Sequence, residues 1–401
     1  MWTIAGMNPT PDSPASPRLL VVTIDRLPAW MLSALGATWV AMPAIDALAA
    51  RGLAFDRLIT PSTDPAATIR DLVGGLVDMP AGAAGPELGA GRHPPLTVVT
   101  DDPSVVAGLG IGADAEVRHV AIRASERVEQ DESRTNLARL FAAAVEAVGA
   151  ADRRIVWCHA GSLGVAWDAP ETFRDAYIDP EDPAPPFGAR PPEFRVDAET
   201  DPDLVVGVRQ VFAGQLTLLD RQLGLLIDAI GGATGAEGWT VLVAGVRGLS
   251  LGLHGWVGCG GDAVPFGETV HVPAVLVDAR GRSCGQRYGG LVVPADLGVT
   301  LCELAAGDRS AEPPAGRGDA VEPGRGRSLV PLLETWSLRP RDRIVVTGSE
   351  GKAIVTPAWH LLMEDNAGAT GPRARLFAKP DDYFELSDVA NRCPAVVDAL
   401  R

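Results

Sequence analysis

Short apolar runs alternate with amphipathic stretches along most of the chain. Runs at 19–24, 95–100, 153–158, 240–244, 272–277 and 343–347 are rich in β-branched residues and show no polar alternation. That pattern predicts strands buried on both faces, as in a parallel sheet covered by helices. Between them lie helical patterns at Ile45 to Ala50, Thr135 to Val148 and Leu204 to Ile230. The last carries Val208, Val211, Leu216, Leu219, Leu223, Leu226 and Ile230 at spacings near three and four, a stripe that faces a core. The order is that of repeated βαβ units. Asp179 to Pro202, rich in Pro and acids, and Ala305 to Arg325, rich in Gly and Pro, read as loops. After about Trp336 the pattern changes to short strands and one terminal helix. The organisation expected is a tail over 1–17, disordered because it holds four prolines among Ser, Asp and Asn, an α/β domain over 18–335, and a small α+β subdomain over 336–401.

Composition narrows the partners. With 401 residues, 46% hydrophobic and 21% charged, the chain can bury a large core. Its net charge of −16 argues against binding nucleic acid or an anionic membrane surface. No apolar run reaches the roughly 18 to 20 residues of a membrane span, and the first residues lack the basic flank and apolar core of a signal peptide. Cys158, Cys259, Cys284, Cys302 and Cys393 are odd in number and scattered, without a C-x-x-C pair. A reduced, cytoplasmic protein is expected.

Two strand ends carry the chemistry. Leu19 to Arg26 ends in Asp25-Arg26, and Val241 to Gly248 ends in Val246-Arg247-Gly248. Further patches follow in order: Met42-Pro43-Ala44-Ile45-Asp46-Ala47-Leu48, Thr60 to Pro65, Leu251-Gly252-Leu253-His254-Gly255, Glu268 to Pro273, Gly326 to Leu333, and Phe377 to Pro394. Together they resemble the sulfatases of the alkaline phosphatase-like superfamily over nearly the whole chain from about Pro17, the last patch being similar to the C-terminal strand and helix of bacterial members. The resemblance implies a mixed, mostly parallel α/β sheet with helices on both faces and a small C-terminal α+β subdomain. It also implies sulfuric ester hydrolysis with calcium or another divalent cation, which needs several oxygen or imidazole ligands converging on one point.

Here the residues depart from the family's pattern. Of the metal ligands only Asp25 is retained; the neighbouring acid is Arg26, and the later Asp-His pair is Val246-Arg247. Guanidinium groups are permanently charged donors and repel a cation. At the nucleophile, aligning Pro65 with the motif's Pro places Thr63 where Cys or Ser is needed and Ala67 where Arg is needed. Threonine is not a formylglycine precursor, and the related phosphodiesterases that use Thr depend on two metals. His254 is the matched imidazole; His159 lies at a strand end, and Cys259 falls near an expected Lys. Each has a plainer explanation: Asp25 pairs with Arg247 or Arg26, Thr63 or Asp64 caps the helix beginning at Pro65, Asp101 and Asp102 form a turn and cap, and Cys259 is a partly buried thiol. The expectation is a pseudoenzyme with no metal cofactor and a vestigial anion-binding cleft formed by Arg26, Arg70 and Arg247, open to a small anion or a protein partner. The alternative is an active sulfate or phosphate ester hydrolase that uses Thr63 or Ser62, with Arg groups in place of metal.

Overall fold

The computed structural model describes residues 18–77, 96–109, 111, 115–150, 154–185, 188–231, 238–306, 326–365 and 373–401. The expected tail over 1–17 and nearly all of the 305–325 loop lie outside them. The central sheet contains β1 (Arg18–Asp25), β2 (Leu53–Ile59), β3 (Leu96–Thr100), β4 (Glu116–His119) and β5 (Ile155–Ala160). A short β6 (Phe194–Arg195) precedes β7 (Trp239–Arg247), which is followed by β8 (Ser250–Leu251), β9 (Trp256–Gly258), β10 (His271–Val277) and β11 (Gln286–Tyr288). The strand order is β11-β2-β10-β7-β1-β5-β3-β4.

All of these pairings are parallel except those of β10, which runs against both β7 and β2. The cause is the connection. From Arg247 to His271 the chain builds β8 and β9, which join β6 in a small antiparallel sheet, without a helix that crosses back over the main sheet, so β10 starts at the end where β7 stopped. The apolar run at 272–277 therefore reads like the parallel strands although its direction is opposite, because burial on both faces looks the same either way.

Alternation within β1 divides the core. Leu20, Val22 and Ile24 point into one apolar cluster, while Leu19 and Val21 point into another on the opposite face. The first cluster is covered by the helices Asn136–Val148 and Pro202–Ala229; the expected stripe from Val208 to Ile230 is buried there throughout. The second is covered by Pro65–Val77 and Pro294–Ala306. Thr135 caps its helix by accepting from the Ala138 amide, and Asp201 caps the long helix by accepting from Asp203.

Toward the C-terminus, β12 (Ile344–Thr347), β13 (Gly351–Val355), β14 (Trp359–Glu364) and β15 (Arg373–Ala378) form an antiparallel sheet. Val346, Val355, Leu362 and Phe377 on one face pack against Ile59, Val270 and Leu291 of the main unit. Ile354, Leu361 and Leu376 on the other face meet Val397 of the terminal helix Pro394–Leu400. No helix among the described residues is long and apolar enough to cross a membrane.

Candidate functional site

The ends of β1 and β7 are held together by a local irregularity. Ile24 pairs with Gly245, but Asp25 pairs with Arg247, so Val246 is an extra residue opposite one β1 position. Val246 continues the alternation of Leu242 and Ala244 into the apolar core, fully buried, and the register shift sets Arg247 in its place beside Asp25. Arg26 then takes a left-handed backbone, φ 64°, a conformation that costs a non-glycine residue about 1 to 2 kcal/mol. It is held there by the bond from the Leu27 amide to the Arg247 carbonyl and by its own buried side chain.

Four charged groups close into a ring. Arg247 grips Asp25 through two parallel bonds, Nε to Oδ1 at 2.8 Å and Nη2 to Oδ2 at 3.0 Å. Its Nη1 reaches Asp262 Oδ2 at 2.9 Å, and Arg26 Nη1 reaches the other Asp262 oxygen at 2.6 Å. Arg26 Nε lies 3.9 Å from Asp25, which completes the circuit. Two carboxylates and two guanidiniums sum to zero. Burial disfavours the charge on Arg26, but the bond to Asp262 and the nearby acids hold its pKa above the usual arginine value. The pairing of Asp25 with Arg247 is thus as anticipated.

Asp262 is the member that sequence reasoning missed. It lies in the turn Cys259–Ala263, 15 residues after Arg247, and the signal available was its Gly-Gly-Asp setting. A Cβ on Gly261 would come within 2.1 Å of Ser250 Oγ, so only glycine lets this turn press against β8 and deliver Asp262.

The other anticipated residues lie elsewhere. The Pro61–Thr63 loop is stitched to β12, with Thr63 N donating to the Thr347 carbonyl at 3.1 Å and Thr347 N to that of Pro61 at 2.9 Å. Asp64 caps the following helix by accepting from Ala66 N at 3.0 Å, while Ser62 Oγ accepts from Asp64 N at 3.0 Å. Arg70 is exposed on that helix and makes no hydrogen bond or ion pair with the Asp25 ring. His254 stacks flat on Phe266, with ring centroids 3.8 Å apart, and burial lowers its pKa to about 4. Among the described residues no hydrogen bond, ion pair or ring contact joins Thr63, Arg70, His254 and the Asp25 ring. Nor are Arg26 and Arg247 free cations facing an open cleft, because each is already bound by carboxylates.

The neighbouring strand ends carry structural roles. Thr23 Oγ1 accepts from Trp157 Nε1 at 2.8 Å and lies 2.8 Å from His159 Nδ1, whose pKa is lowered by burial. Asp101 accepts from the Gly161 and Ser162 amides, and Asp102 caps by accepting from Ser104. Cys259 is half-buried, and burial pushes its thiol up despite the nearby Arg26 and Arg247.

The donor set does not suit a divalent cation. The oxygens of Asp25 and Asp262 are engaged by guanidinium N–H groups, and among the described residues no third His, Cys, Asp or Glu joins them in a metal-binding group.

No family model matches this sequence, and no curated protein matches it. Solved structures do. A phosphonate monoester hydrolase of Agrobacterium radiobacter superposes with a TM-score of 0.69 at 15% identity, covering 96% of this chain and 94% of that one. One from Silicibacter pomeroyi gives 0.68 at 15% identity, covering 96% and 93%. A 2-O GAG sulfatase gives 0.65 at 15% identity, covering 96% and 90%. The chain has the fold shared by these phosphonate monoester hydrolases and this sulfatase. A fold at this identity carries no activity with it.

Proposed function

We propose that this protein is a pseudoenzyme on a sulfatase-type scaffold, that it uses no divalent cation, and that its role is binding rather than ester hydrolysis. The observation that carries this reading is the neutral ring of Asp25, Arg247, Asp262 and Arg26. In a metal-dependent hydrolase the strand ends offer carboxylate oxygens to a cation that polarises the ester and lowers the nucleophile's pKa. Here the same oxygens are occupied by permanent cations whose charge they cancel. A guanidinium substitutes for the metal's charge but offers no open coordination position and cannot activate a hydroxyl as a bound metal does. Among the described residues no hydrogen bond joins the Thr63 hydroxyl to a base: His254 stacks on Phe266, and Asp64 accepts from the Ala66 amide. Loss of one preorganised donor commonly costs about 3 to 4 kcal/mol of transition-state stabilisation, so losing metal, base and the Ala67-position arginine together takes turnover to background.

The test is a turnover assay on aryl sulfate, phosphonate monoester, phosphate monoester and phosphate diester substrates, comparing wild type with Thr63→Ala and His254→Ala. Equal, background-level rates in all three are expected. A reproducible rate that disappears in Thr63→Ala would overturn the proposal in favour of a hydrolase working through Thr63.

A further inference from the structure

One member of the strand-end ring differs from the other three. Asp25, Arg26 and Arg247 stand on, or directly after, strands of the main sheet, whereas Asp262 comes from the turn Cys259–Ala263. Its carboxylate spans the two guanidiniums, Oδ1 on Arg26 Nη1 at 2.6 Å and Oδ2 on Arg247 Nη1 at 2.9 Å. A free carboxylate ion caught between two arginines makes the same pair of charge-assisted bonds. Asp262 is also the most exposed member: its side chain is 20% accessible, against 11% for Asp25 and 3% for Arg26. The carboxylate therefore reaches the buried Arg26 from a place partly open to water.

Without Asp262 the site holds two guanidiniums and one carboxylate, a surplus of one positive charge. A guanidinium cannot shed that charge by losing its proton. Leaving it buried and unmatched is costly, so the vacated place favours a singly charged anion, and two oxygens in one plane match the two Nη1 donors. Inorganic sulfate carries two charges and would leave the site negative. The turn itself is held: a Cβ on Gly261 would come within 2.1 Å of Ser250 Oγ, and one on Gly260 within 2.9 Å of the Trp256 ring. What can move is the Asp262 side chain, by rotation between staggered positions about its own bonds.

We propose that Asp262 is a built-in occupant of a carboxylate-binding site, and that a small organic acid displaces it, placing its own two oxygens on Arg26 Nη1 and Arg247 Nη1. The acid needs no contact deeper than those Asp262 already makes. A tethered carboxylate competes at a high effective concentration, so it acts as a latch that keeps the site closed until the acid is abundant. The latch rests on the binding role proposed above and gives it a ligand class. Thr63-dependent turnover would sink that role, whereas absence of acid binding without turnover would sink the latch alone.

Asp262→Gly removes the side chain beyond Cα and leaves a gap the size of acetate, and Asp262→Ala leaves one the size of formate. Each acid is titrated into the full-length protein at constant ionic strength set with sodium chloride, and the rise in Tm with concentration gives the dissociation constant. Acetate should bind Asp262→Gly with a constant of about 10 mM or tighter, and inorganic sulfate at least about tenfold more weakly. Formate should surpass acetate in Asp262→Ala. Wild type should need at least about tenfold more acetate for the same rise, because the ion must displace the tethered carboxylate. Adding Arg26→Gln to Asp262→Gly should remove the saturable rise. No saturation in Asp262→Gly, sulfate binding as tightly as acetate, or a rise that survives Arg26→Gln would each overturn the proposal. So would a wild type that binds acetate as tightly as Asp262→Gly, or one with no saturable response up to about 1 M, which would mean that Asp262 is not displaced. If Asp262→Gly fails to fold by its melting curve, Asp262→Ala with formate decides the matter by the same criteria.

Discussion

Replacing Arg247 by alanine removes one cation from the ring and leaves Asp25 and Asp262 to share Arg26. Asp25 loses both short bonds and retains only Arg26 Nε at 3.9 Å. Breaking a buried ion pair costs about 3 to 5 kcal/mol, because the surviving charge stays buried and unmatched. Arg247 keeps 19% of its side chain exposed and Asp25 11%, so water screens part of the loss and the low end, about 3 kcal/mol, is the expected figure. At about 2.1 cal/mol/K per residue, unfolding 401 residues carries an entropy near 0.8 kcal/mol/K, which converts the loss to about 4 °C in Tm. Calorimetric melting of wild type and Arg247→Ala reads this directly. The paired replacement Asp25→Leu with Arg247→Met is the informative companion. It removes one charge of each sign and leaves the Arg26–Asp262 bond of 2.6 Å neutral on its own. It should recover at least half of the loss, since apolar substitutes for a buried pair are often neutral. A Tm within about 1 °C of wild type for Arg247→Ala would refute the reasoning, as would a double variant less stable than the single one.

Two further outcomes concern pH. His254 and His271 are neutral in the fold, each lowered to about 4 chiefly by burial, so the unfolded chain takes up protons first. Stability is complete above about pH 6.5 and falls as the pH drops toward 4, by at most about 1.4 kcal/mol per pH unit for each; His254→Phe, which keeps the stack on Phe266, should make denaturant-measured stability less steep in that window. Glu268 is the opposite case: burial raises it to about 8, so it is neutral at pH 7 and its contribution is lost as the pH rises from the ordinary carboxylate range through 8. Glu268→Gln should match wild type at pH 5 and exceed it at pH 8, and an unchanged difference between the two would contradict this.

Much of this was legible in the amino-acid sequence. Apolar runs gave β1, β3, β5, β7, β10 and β12, and the stripe from Val208 to Ile230 gave the face of the longest helix. The direction of β10 was not legible, because a strand buried on both faces has the same composition in either orientation. Nor was β2, from Leu53 to Ile59, set off by hydrophobic pattern alone, since Asp56 and Arg57 interrupt it. At the strand ends, Asp25, Arg26 and Arg247 announced a charge cluster, and the pairing followed from the penalty on a lone buried carboxylate. Asp262 was hidden because its position depends on a tertiary contact, Gly261 against Ser250, that no local pattern encodes. His254 sits in the anticipated loop, but Phe266 claims its face.

The proposal that the ring leaves no place for a divalent cation is tested most directly by metal content. Protein purified without chelator should carry well under one equivalent of calcium, magnesium, manganese or zinc per chain by elemental analysis, and titration of each should give neither saturable heat nor a rise in Tm. One tightly held divalent ion per chain, lost from Asp25→Asn, would contradict the account, because Asp25 cannot serve a metal while both its oxygens are held by Arg247.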